Sequence, residues 1–348
     1  MSMLKVDQVS KLYRSTTRGG GLTPALRKVS FDLNPGEVIS LIGESGSGKT
    51  TIGKIILRLV SPTSGTVSFD GKDISTYSSR GLRDYYRHVQ GVFQDPFSSY
   101  NPIYLADRVF DLVRDVYFPH TPDKEWIAKL EAALDAVALN PGDVLGKYPH
   151  QLSGGQQQRL LIARALLLDV KVLVADEIIS MLDASTRVDV LNLLVKLKRQ
   201  GLAILFITHD LSLGNYVSDR TIILRHGAIV EMGATERIFG NPQHEYTKML
   251  LTAVPELHKK WAHEPLATVP SVNGSTLDVI SNGDGAAALH HATLLDELTH
   301  TEQVIKRDFR AVFGANRAAS SGKSQIAVAL EPPALHEIEP DHLVAEPE

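Results

Sequence analysis

The chain contains 348 residues, of which 43% are hydrophobic and 22% are charged, and its formal net charge is −4. This length accommodates one large domain and a smaller one, and the composition is typical of a globular protein rather than of a disordered or collagen-like chain. Because there is no cysteine, disulfides, thiolate zinc sites, cysteine-ligated iron–sulfur clusters and a thiol nucleophile are all excluded.

Charge is distributed unevenly along the chain. Residues 258–348 contain seven basic and thirteen acidic side chains, a net charge of −6, which leaves +2 for the preceding 257 residues. Neither part has the clustered positive charge of a nucleic-acid-binding surface, so no nucleic-acid partner is expected. The longest uninterrupted apolar run, residues 202–207, is too short for a membrane span or a secretion signal. The expected compartment is therefore the reducing cytosol.

The first part of the chain alternates strand-like and helix-like patterns, which favours an α/β fold. The predicted elements are strands at 5–10 and 26–33, a buried strand at 37–42, a helix at 50–60, a hairpin at 66–71 and a strand at 88–93. The second strand shows period-two alternation in Val29, Phe31 and Leu33, and the first two strands are expected to form an antiparallel layer.

A helical segment interrupts this α/β pattern. The predicted elements are helices within 101–168, a strand at 172–175, a helix at 185–199, and strands at 203–207, 221–224 and 228–231. Beyond Pro255 the periodicity weakens, and a helical spacing returns only at 292–313. The prediction is therefore a domain over 1–257, with a helical subdomain at about 95–168, and a partly irregular C-terminal extension over 258–348.

A phosphate-binding loop is the first motif that carries chemistry. The segment Gly43-Glu-Ser-Gly-Ser-Gly-Lys-Thr50 fits the pattern G-x-x-x-x-G-K-[S/T] and lies between a predicted strand and a predicted helix, as that motif requires. Glycines let several backbone N–H groups face one anion, and the helix adds its positive N-terminal end. Lys49 is expected to reach the β- and γ-phosphates, and the Thr50 hydroxyl to bind Mg²⁺. The alternative is a flexible Gly/Ser linker.

Two adjacent acids follow a short apolar run at 172–175. A buried strand that presents an acid at its C-terminal end is how phosphate-loop NTPases supply a second metal-holding group. Asp176 is therefore the predicted Mg²⁺ partner, and Glu177 the predicted general base for the attacking water. Taken alone, the same pattern also fits a solvated acidic turn.

The segment Leu152-Ser-Gly-Gly-Gln156 resembles the signature sequence of the ATP-binding cassette (ABC) family. Ser153 is equally a helix N-cap, and the two roles are compatible. The resemblance covers about residues 3–255 and implies a RecA-like phosphate-loop NTPase core with an antiparallel β layer and a helical ABC subdomain. It also implies a head-to-tail dimer, in which the phosphate loop of one subunit and the signature of the other hold ATP.

Further positions match this family in order and spacing. Gln94 resembles the Q-loop glutamine, which contacts Mg²⁺ and water, and His209 resembles the switch histidine. Asp183 matches the end of the D-loop, and Tyr13 resembles the aromatic residue that stacks on adenine, with an ordinary strand-edge tyrosine as the alternative. The resemblance implies catalytic roles for Glu177, His209 and Gln94, Mg²⁺ contacts at Thr50, Gln94 and Asp176, and nucleotide contacts at Tyr13, Gly43, Ser45, Gly46, Gly48, Lys49, Thr50, Thr51, Ser153, Gly154, Gly155, Gln156 and Asp183.

Three segments resemble the ATPase subunits of oligopeptide and dipeptide importers: 94–102, 148–155 and 241–251. Residues 332–344 are similar to the end of their C-terminal extension. The family often carries cysteines there, and this chain has none. In the D-loop, the usual proline is absent from Asp176-Glu-Ile-Ile-Ser-Met-Leu-Asp183, which removes a fixed φ from the turn.

The resemblance implies a set of partners around the membrane: a second, identical or paralogous ATPase subunit, two transmembrane permease subunits and an extracytoplasmic substrate-binding protein. The chain itself is expected at the cytoplasmic face of the cell membrane as a peripheral subunit, with ATP and Mg²⁺ as its cofactors. Peptides are the favoured cargo, and an oligosaccharide or β-glucoside importer is the alternative. A cytosolic ABC ATPase without a transport role and a non-hydrolysing structural partner are the other hypotheses.

Seven of the thirteen histidines lie at or beyond position 258, including His290 and His291. Their irregular spacing favours a solvated tail over a metal site.

Overall fold

The computed structural model describes residues 2–14, 22–95, 99–252, 331–339 and 341–345. The predicted helix at 292–313 and the predicted boundary near 257 lie outside these residues. The strands are β1 (Leu4–Arg14), β2 (Leu22–Leu33), β3 (Val38–Ile42), β4 (Ser64–Phe69), β5 (Lys72–Asp73), β6 (Val89–Val92), β7 (Val172–Asp176), β8 (Ala203–Thr208), β9 (Arg220–Arg225), β10 (Ala228–Ala234), β11 (Leu335–Glu339) and β12 (His342–Ala345).

Helices separate most of these strands. They are α1 (Lys49–Ile56), α2 (Ser79–His88), α3 (Arg108–Tyr117), α4 (Asp123–Ala136), α5 (Pro141–Val144), α6 (Gly154–Leu166), α7 (Ala184–Arg199), α8 (Leu211–Val217), α9 (Thr235–Gly240) and α10 (Glu245–Thr252). No helix in the described part of the chain is long and apolar enough to cross a membrane.

The antiparallel layer predicted from the sequence is confirmed. Its strand order is β2-β1-β4-β5, and β1 pairs antiparallel with both β2 and β4. The alternating apolar residues of β2, including Val29, Phe31 and Leu33, are buried against the main sheet. This layer therefore covers one side of the core that carries α1 and β3.

The main sheet has the order β11-β12-β10-β9-β3-β8-β7-β6. Strands β3, β6, β7, β8 and β9 run parallel, whereas β10, β11 and β12 pair antiparallel. Every residue of β3, β7 and β8 is buried, which explains their continuous apolar runs. Because these strands are parallel, the residues that follow them meet at one edge of the sheet, where ligands bind in such folds.

The helical segment predicted at 101–168 is present as α3 to α6. Phe110, Trp126, Leu134 and Leu160 are buried in a shared apolar cluster that extends to α7 and one face of the main sheet. Helix α2 was not predicted, because its sequence SRGLRDYYRH is strongly polar and Tyr85 is the residue it buries. The arrangement of 95–168 as a distinct subdomain stays a prediction.

A C-terminal hairpin extends the main sheet. Strands β11 and β12 pair with each other, and β12 pairs with β10 through Glu231 opposite Val344 and Met232 opposite Leu343. The His342 Nε2 atom lies 2.8 Å from Glu231 Oε1, and both residues are fully or almost fully buried. The expectation of a solvated histidine tail is therefore wrong for His342, since a buried acid in β10 holds it. The histidines at 258–300 lie outside the described residues.

We expect His342→Ala to destabilise the folded protein by about 2–3 kcal/mol, because Glu231 would remain buried with one partner fewer. Thermal denaturation of the full chain measures this loss. The matched control is His120→Ala, which removes an exposed histidine and should change stability by less than about 0.5 kcal/mol. Equal midpoints for the two variants would contradict this account of how the hairpin is held.

Candidate functional site

A cleft of about 620 Å³ opens at the edge of the main sheet where the parallel strands end. Residues from five separate parts of the chain line it, and all but Ala25 were predicted from sequence motifs. The lining residues are Ala25, Ser45, Gly46, Gly48, Lys49, Thr50, Thr51, Gln94, Glu177 and His209. The fold thus brings the phosphate loop, the predicted base, the Q-loop glutamine and the switch histidine together in one place.

The phosphate loop connects β3 to α1 and wraps around the Lys49 side chain. Lys49 Nζ donates to the carbonyl oxygens of Gly43 at 2.6 Å and Glu44 at 2.8 Å. Gly46 and Gly48 both have positive φ, at 83° and 107°. At Gly48 a Cβ atom would also overlap the carbonyl oxygen of Ala25, so only glycine fits this turn.

We expect Gly48→Ala to weaken ATP binding and to destabilise the protein by more than Gly71→Ala does. Gly71 also has a positive φ, 76°, but a Cβ there would meet open space. The Gly71→Ala variant therefore measures the cost of backbone strain alone, about 1–2 kcal/mol, without a steric clash. Titration with a fluorescent ATP analogue and thermal denaturation measure the two effects. An ATP affinity in Gly48→Ala equal to that of Gly71→Ala would contradict the steric argument.

Lys49 is the buried cation of the cleft. Burial lowers the pKa of its ammonium group, and the nearby carboxylates of Glu177, Asp176 and Glu44 act in the opposite direction. A buried ammonium group held by carbonyl dipoles and facing a cleft is suited to bind a phosphate, which supplies the compensating negative charge.

Asp176 ends β7 beneath the cleft and is 4% exposed. Burial raises the pKa of its carboxyl group, while a hydrogen bond from the Thr50 side chain lowers it. The Oδ1 atom is buried and has no hydrogen-bond partner in the described part of the chain. The unpaired carboxylate oxygen of Asp176 and the hydroxyl of Thr50 are hard donors of the kind that Mg²⁺ prefers, and the Gln94 amide lines the same cleft as Thr50, so these three residues fit this ion.

Glu177 and His209 follow neighbouring strands β7 and β8 and meet across the sheet edge. His209 Nδ1 lies 3.2 Å from Glu177 Oε1, and the Glu177 N–H donates to the Ile207 carbonyl oxygen at 2.9 Å. Glu177 has a positive φ of 50°, a conformation that costs energy for a non-glycine residue and is typical of functional sites. Together these contacts direct the Glu177 carboxylate into the cleft.

The D-loop forms its turn without the usual proline. The Ser180 N–H donates to the Glu177 carbonyl at 3.1 Å, and Ile178 and Ile179 are both buried in the apolar cluster. Arg187 donates from Nε to the Leu182 carbonyl at 2.7 Å and holds the far end of the turn. Buried isoleucines and this arginine thus hold the two ends of the turn in place.

The predicted signature residues lie outside the cleft lining. Ser153 caps α6, and its Oγ accepts from Gln156 N–H while the Gln156 side chain accepts from Ser153 N–H. Gly155 is buried against Thr186, and Gly154 is partly exposed. The predicted N-cap is therefore confirmed, and the ATP contacts of Ser153, Gly154, Gly155 and Gln156 stay predictions.

Asp183 and Tyr13 also lie away from the cleft lining. Asp183 is exposed and caps α7, and hydrogen bonds from Ser185 and Thr186 lower the pKa of its carboxyl group. Tyr13 is 40% exposed on β1, with the Lys11 ammonium group 5.1 Å from its ring centre. The nucleotide contacts of both residues, and of the buried loop residue Gly43, stay predictions.

Two contacts, one in the cleft and one to the phosphate loop, were not predicted from the sequence. Ala25 lines the cleft from β2, and no motif marks it. The Tyr246 hydroxyl accepts a hydrogen bond from the Glu44 N–H at 3.1 Å. Tyr246 does lie in the segment 241–251 that resembles importer ATPases, but that resemblance indicated an extension and not the ATP site.

Comparisons with known proteins decide the family. A sequence model described as ABC transporter matches residues 26–180, and one described as oligopeptide/dipeptide transporter, C-terminal region, matches residues 230–278. A Brucella ovis protein, provisionally named a peptide import ATP-binding protein, is 44% identical over 255 residues, which are 73% of this chain and 78% of the relative. The chain belongs to the ABC transporter family.

Other ABC proteins match as well. The glutathione import ATP-binding protein GsiA of Escherichia coli O157:H7 is 46% identical over 233 residues, 66% of this chain and 37% of GsiA. The ADP- and phosphate-bound dimer of the cassette MJ0796 superimposes with a TM-score of 0.60 at 29% identity, covering 67% of this chain and 99% of that one. The cbiO1 protein of Clostridium perfringens, part of the transporter complex cbiONQ, gives a TM-score of 0.60 at 27% identity, covering 69% and 91%. The predicted ABC ATPase fold is therefore confirmed.

Proposed function

We propose that this ABC protein is the ATP-hydrolysing, energy-coupling subunit of an importer for peptides. The observation that carries the proposal is the pairing of Glu177 with His209 in the same cleft as the buried Lys49 ammonium group. A phosphate-binding cation and a directed base in one cleft are the parts that hydrolysis of a nucleoside triphosphate needs.

Different residues of the cleft carry out the separate parts of ATP hydrolysis. Lys49 and the backbone N–H groups of the phosphate loop bind the β- and γ-phosphates, and Thr50, Gln94 and Asp176 would hold Mg²⁺, which supplies positive charge to the phosphate oxygens when bound. The Glu177 carboxylate accepts a proton from a water molecule as the water oxygen bonds to the γ-phosphorus. The bond to the β–γ bridging oxygen breaks, and ADP and inorganic phosphate leave.

His209 supports the base rather than replacing it. Its ring nitrogen, 3.2 Å from the Glu177 carboxylate, fixes the direction in which that carboxylate faces the cleft. His209 is largely exposed, whereas the Glu177 side chain is only 20% exposed, so His209 is accessible to a bound phosphate or to a second subunit. The presence of both residues favours a hydrolysing subunit over a structural one.

The ATP site is completed by a second ATPase subunit in this proposal. The signature residues 153–156 and Asp183 lie outside the cleft lining, and the related cassette MJ0796 is dimeric with ADP and phosphate bound. In a head-to-tail dimer, the exposed N-terminus of α6 from one subunit would face the phosphates held by the other. ATP binding then closes the dimer, and hydrolysis reopens it.

Coupling to transport requires partners that span the membrane. We place the chain at the cytoplasmic face of the cell membrane, with two transmembrane permease subunits and an extracytoplasmic substrate-binding protein in the complete importer. The similarity to cbiO1, a part of a transporter complex, supports the permease partners, and the match to the C-terminal region of oligopeptide/dipeptide transporters supports an importer.

Peptide cargo rests on the names of the relatives, which include peptide and glutathione import proteins. Competition uptake tests it: the complete importer in vesicles is given a labelled oligopeptide, dipeptide or β-glucoside, with Glu177→Gln as the inactive control. ATP-dependent uptake of a peptide that other peptides compete away is the expected result. Uptake of the β-glucoside alone would show that the cargo is a β-glucoside and not a peptide, and it would leave the ATPase assignment unchanged.

A further inference from the structure

The segment at 241–251 contacts the phosphate loop, although none of the cassette motifs lies in this segment. Tyr246, in the first turn of α10, is 4% exposed, and its hydroxyl accepts the Glu44 N–H at 3.1 Å. Glu44 is the second residue of the phosphate loop. One hydroxyl outside the cassette motifs therefore contacts the loop that binds phosphate.

This hydrogen bond acts on the same peptide unit that holds Lys49. The peptide between Gly43 and Glu44 offers its N–H to the Tyr246 hydroxyl and its C=O to Lys49 Nζ, at 3.1 and 2.6 Å. Because a peptide unit is planar, fixing the direction of its N–H also fixes the direction of its C=O. Tyr246 thereby sets where the loop carbonyl holds the Lys49 ammonium group.

Tyr246 is itself held rigidly. The Arg225 guanidinium group lies 5.0 Å from the centre of the Tyr246 ring. The backbone N–H of Tyr246 donates to His244 Nδ1 at 3.1 Å. The buried Glu231 carboxylate accepts the N–H groups of Gln243 at 2.9 Å and His244 at 3.1 Å. The turn before α10 is therefore tied to β10, and the hydroxyl is fixed against the loop.

We propose that the Tyr246 hydroxyl is a positioning group for the phosphate loop, which tightens ATP binding by orienting the Gly43–Glu44 peptide and, through it, Lys49. This inference rests on the proposed ATPase function. It assigns to the segment at 241–251 a direct part in nucleotide affinity, in addition to any role in assembly.

Tyr246→Phe tests the inference because it removes only the hydroxyl. The matched control is Tyr216→Phe, which removes a tyrosine hydroxyl that bonds Asn192 at 2.8 Å on an exposed surface. We expect Tyr246→Phe to raise the KM for ATP, and the dissociation constant of a fluorescent ATP analogue, about three- to tenfold. The kcat should change by less than about twofold, and Tyr216→Phe should match the unmodified chain in both constants.

The split between KM and kcat separates positioning from general destabilisation, because a purely structural loss would lower the fraction of folded protein and leave KM unchanged. Both variants are measured as full-length chains below their denaturation midpoints. Equal ATP affinity in Tyr246→Phe and Tyr216→Phe would overturn the inference and leave the ATPase function intact. Failure of the unmodified chain to bind ATP would overturn both.

Discussion

Glu177→Gln is expected to reduce ATP hydrolysis by about 10²- to 10⁴-fold while ATP binding is retained. The glutamine amide cannot accept the proton of the attacking water, but it has the same size as the carboxylate and leaves the Lys49 contacts with Gly43 and Glu44 unchanged. ATP should therefore bind and remain intact, and a head-to-tail dimer should accumulate in its closed form. Phosphate release and size-exclusion chromatography with ATP measure the two effects.

Glu236→Gln is a matched control for this variant, since it changes an exposed glutamate on α9 outside the cleft lining. Its hydrolysis rate should equal that of the unmodified chain. Unchanged turnover in Glu177→Gln would show that another group accepts the proton and would remove the central part of the proposed mechanism.

Lys49→Ala is expected to weaken ATP binding by about 100-fold or more, because it removes the buried ammonium group that faces the phosphates. Charge-assisted hydrogen bonds to phosphate are among the strongest polar contacts in proteins. Hydrolysis at saturating ATP should fall as well, since the same group stabilises charge on the γ-phosphate in the transition state. Equilibrium titration with the fluorescent ATP analogue measures the binding loss.

Lys54→Ala provides the comparison for Lys49→Ala. Lys54 lies in the last turn of the same helix and is exposed, so its removal tests the loss of one positive charge without the loss of a cleft contact. We expect its ATP affinity to remain within about twofold of that of the unmodified chain. Similar losses in the two variants would mean that general electrostatics, and not the phosphate loop, governs binding.

Motifs with fixed spacing allowed the cleft to be predicted from the sequence. The phosphate loop, the two acids at the end of β7 and the histidine after β8 all lie at the C-terminal ends of buried strands, and parallel pairing brings these ends together. Other contacts of the structure are not marked by motifs of fixed spacing. The pairing of β12 with β10 joins residues that are more than a hundred positions apart, and the bond from Glu44 to Tyr246 spans about two hundred, so both depend on tertiary folding.

Local polarity explains the other differences between prediction and structure. Helix α2 is short and polar overall, and Leu82, Tyr85 and Tyr86 form only a narrow apolar stripe, so its composition hides the helical spacing. His342 lies in a short polar-rich segment, and its burial follows from the position of Glu231 on another strand. In the D-loop, which lacks the usual proline, Ile178 and Ile179 pack into the core.

Purification of the full-length chain from native membranes, with crosslinking and mass spectrometry of its neighbours, is the most direct test of the importer assignment. The account predicts two permease subunits and a second ATPase subunit, with crosslinks from the signature region near Ser153 to the phosphate loop of the partner ATPase. Recovery of only soluble or ribosomal proteins would contradict it and would indicate a cytosolic ABC ATPase.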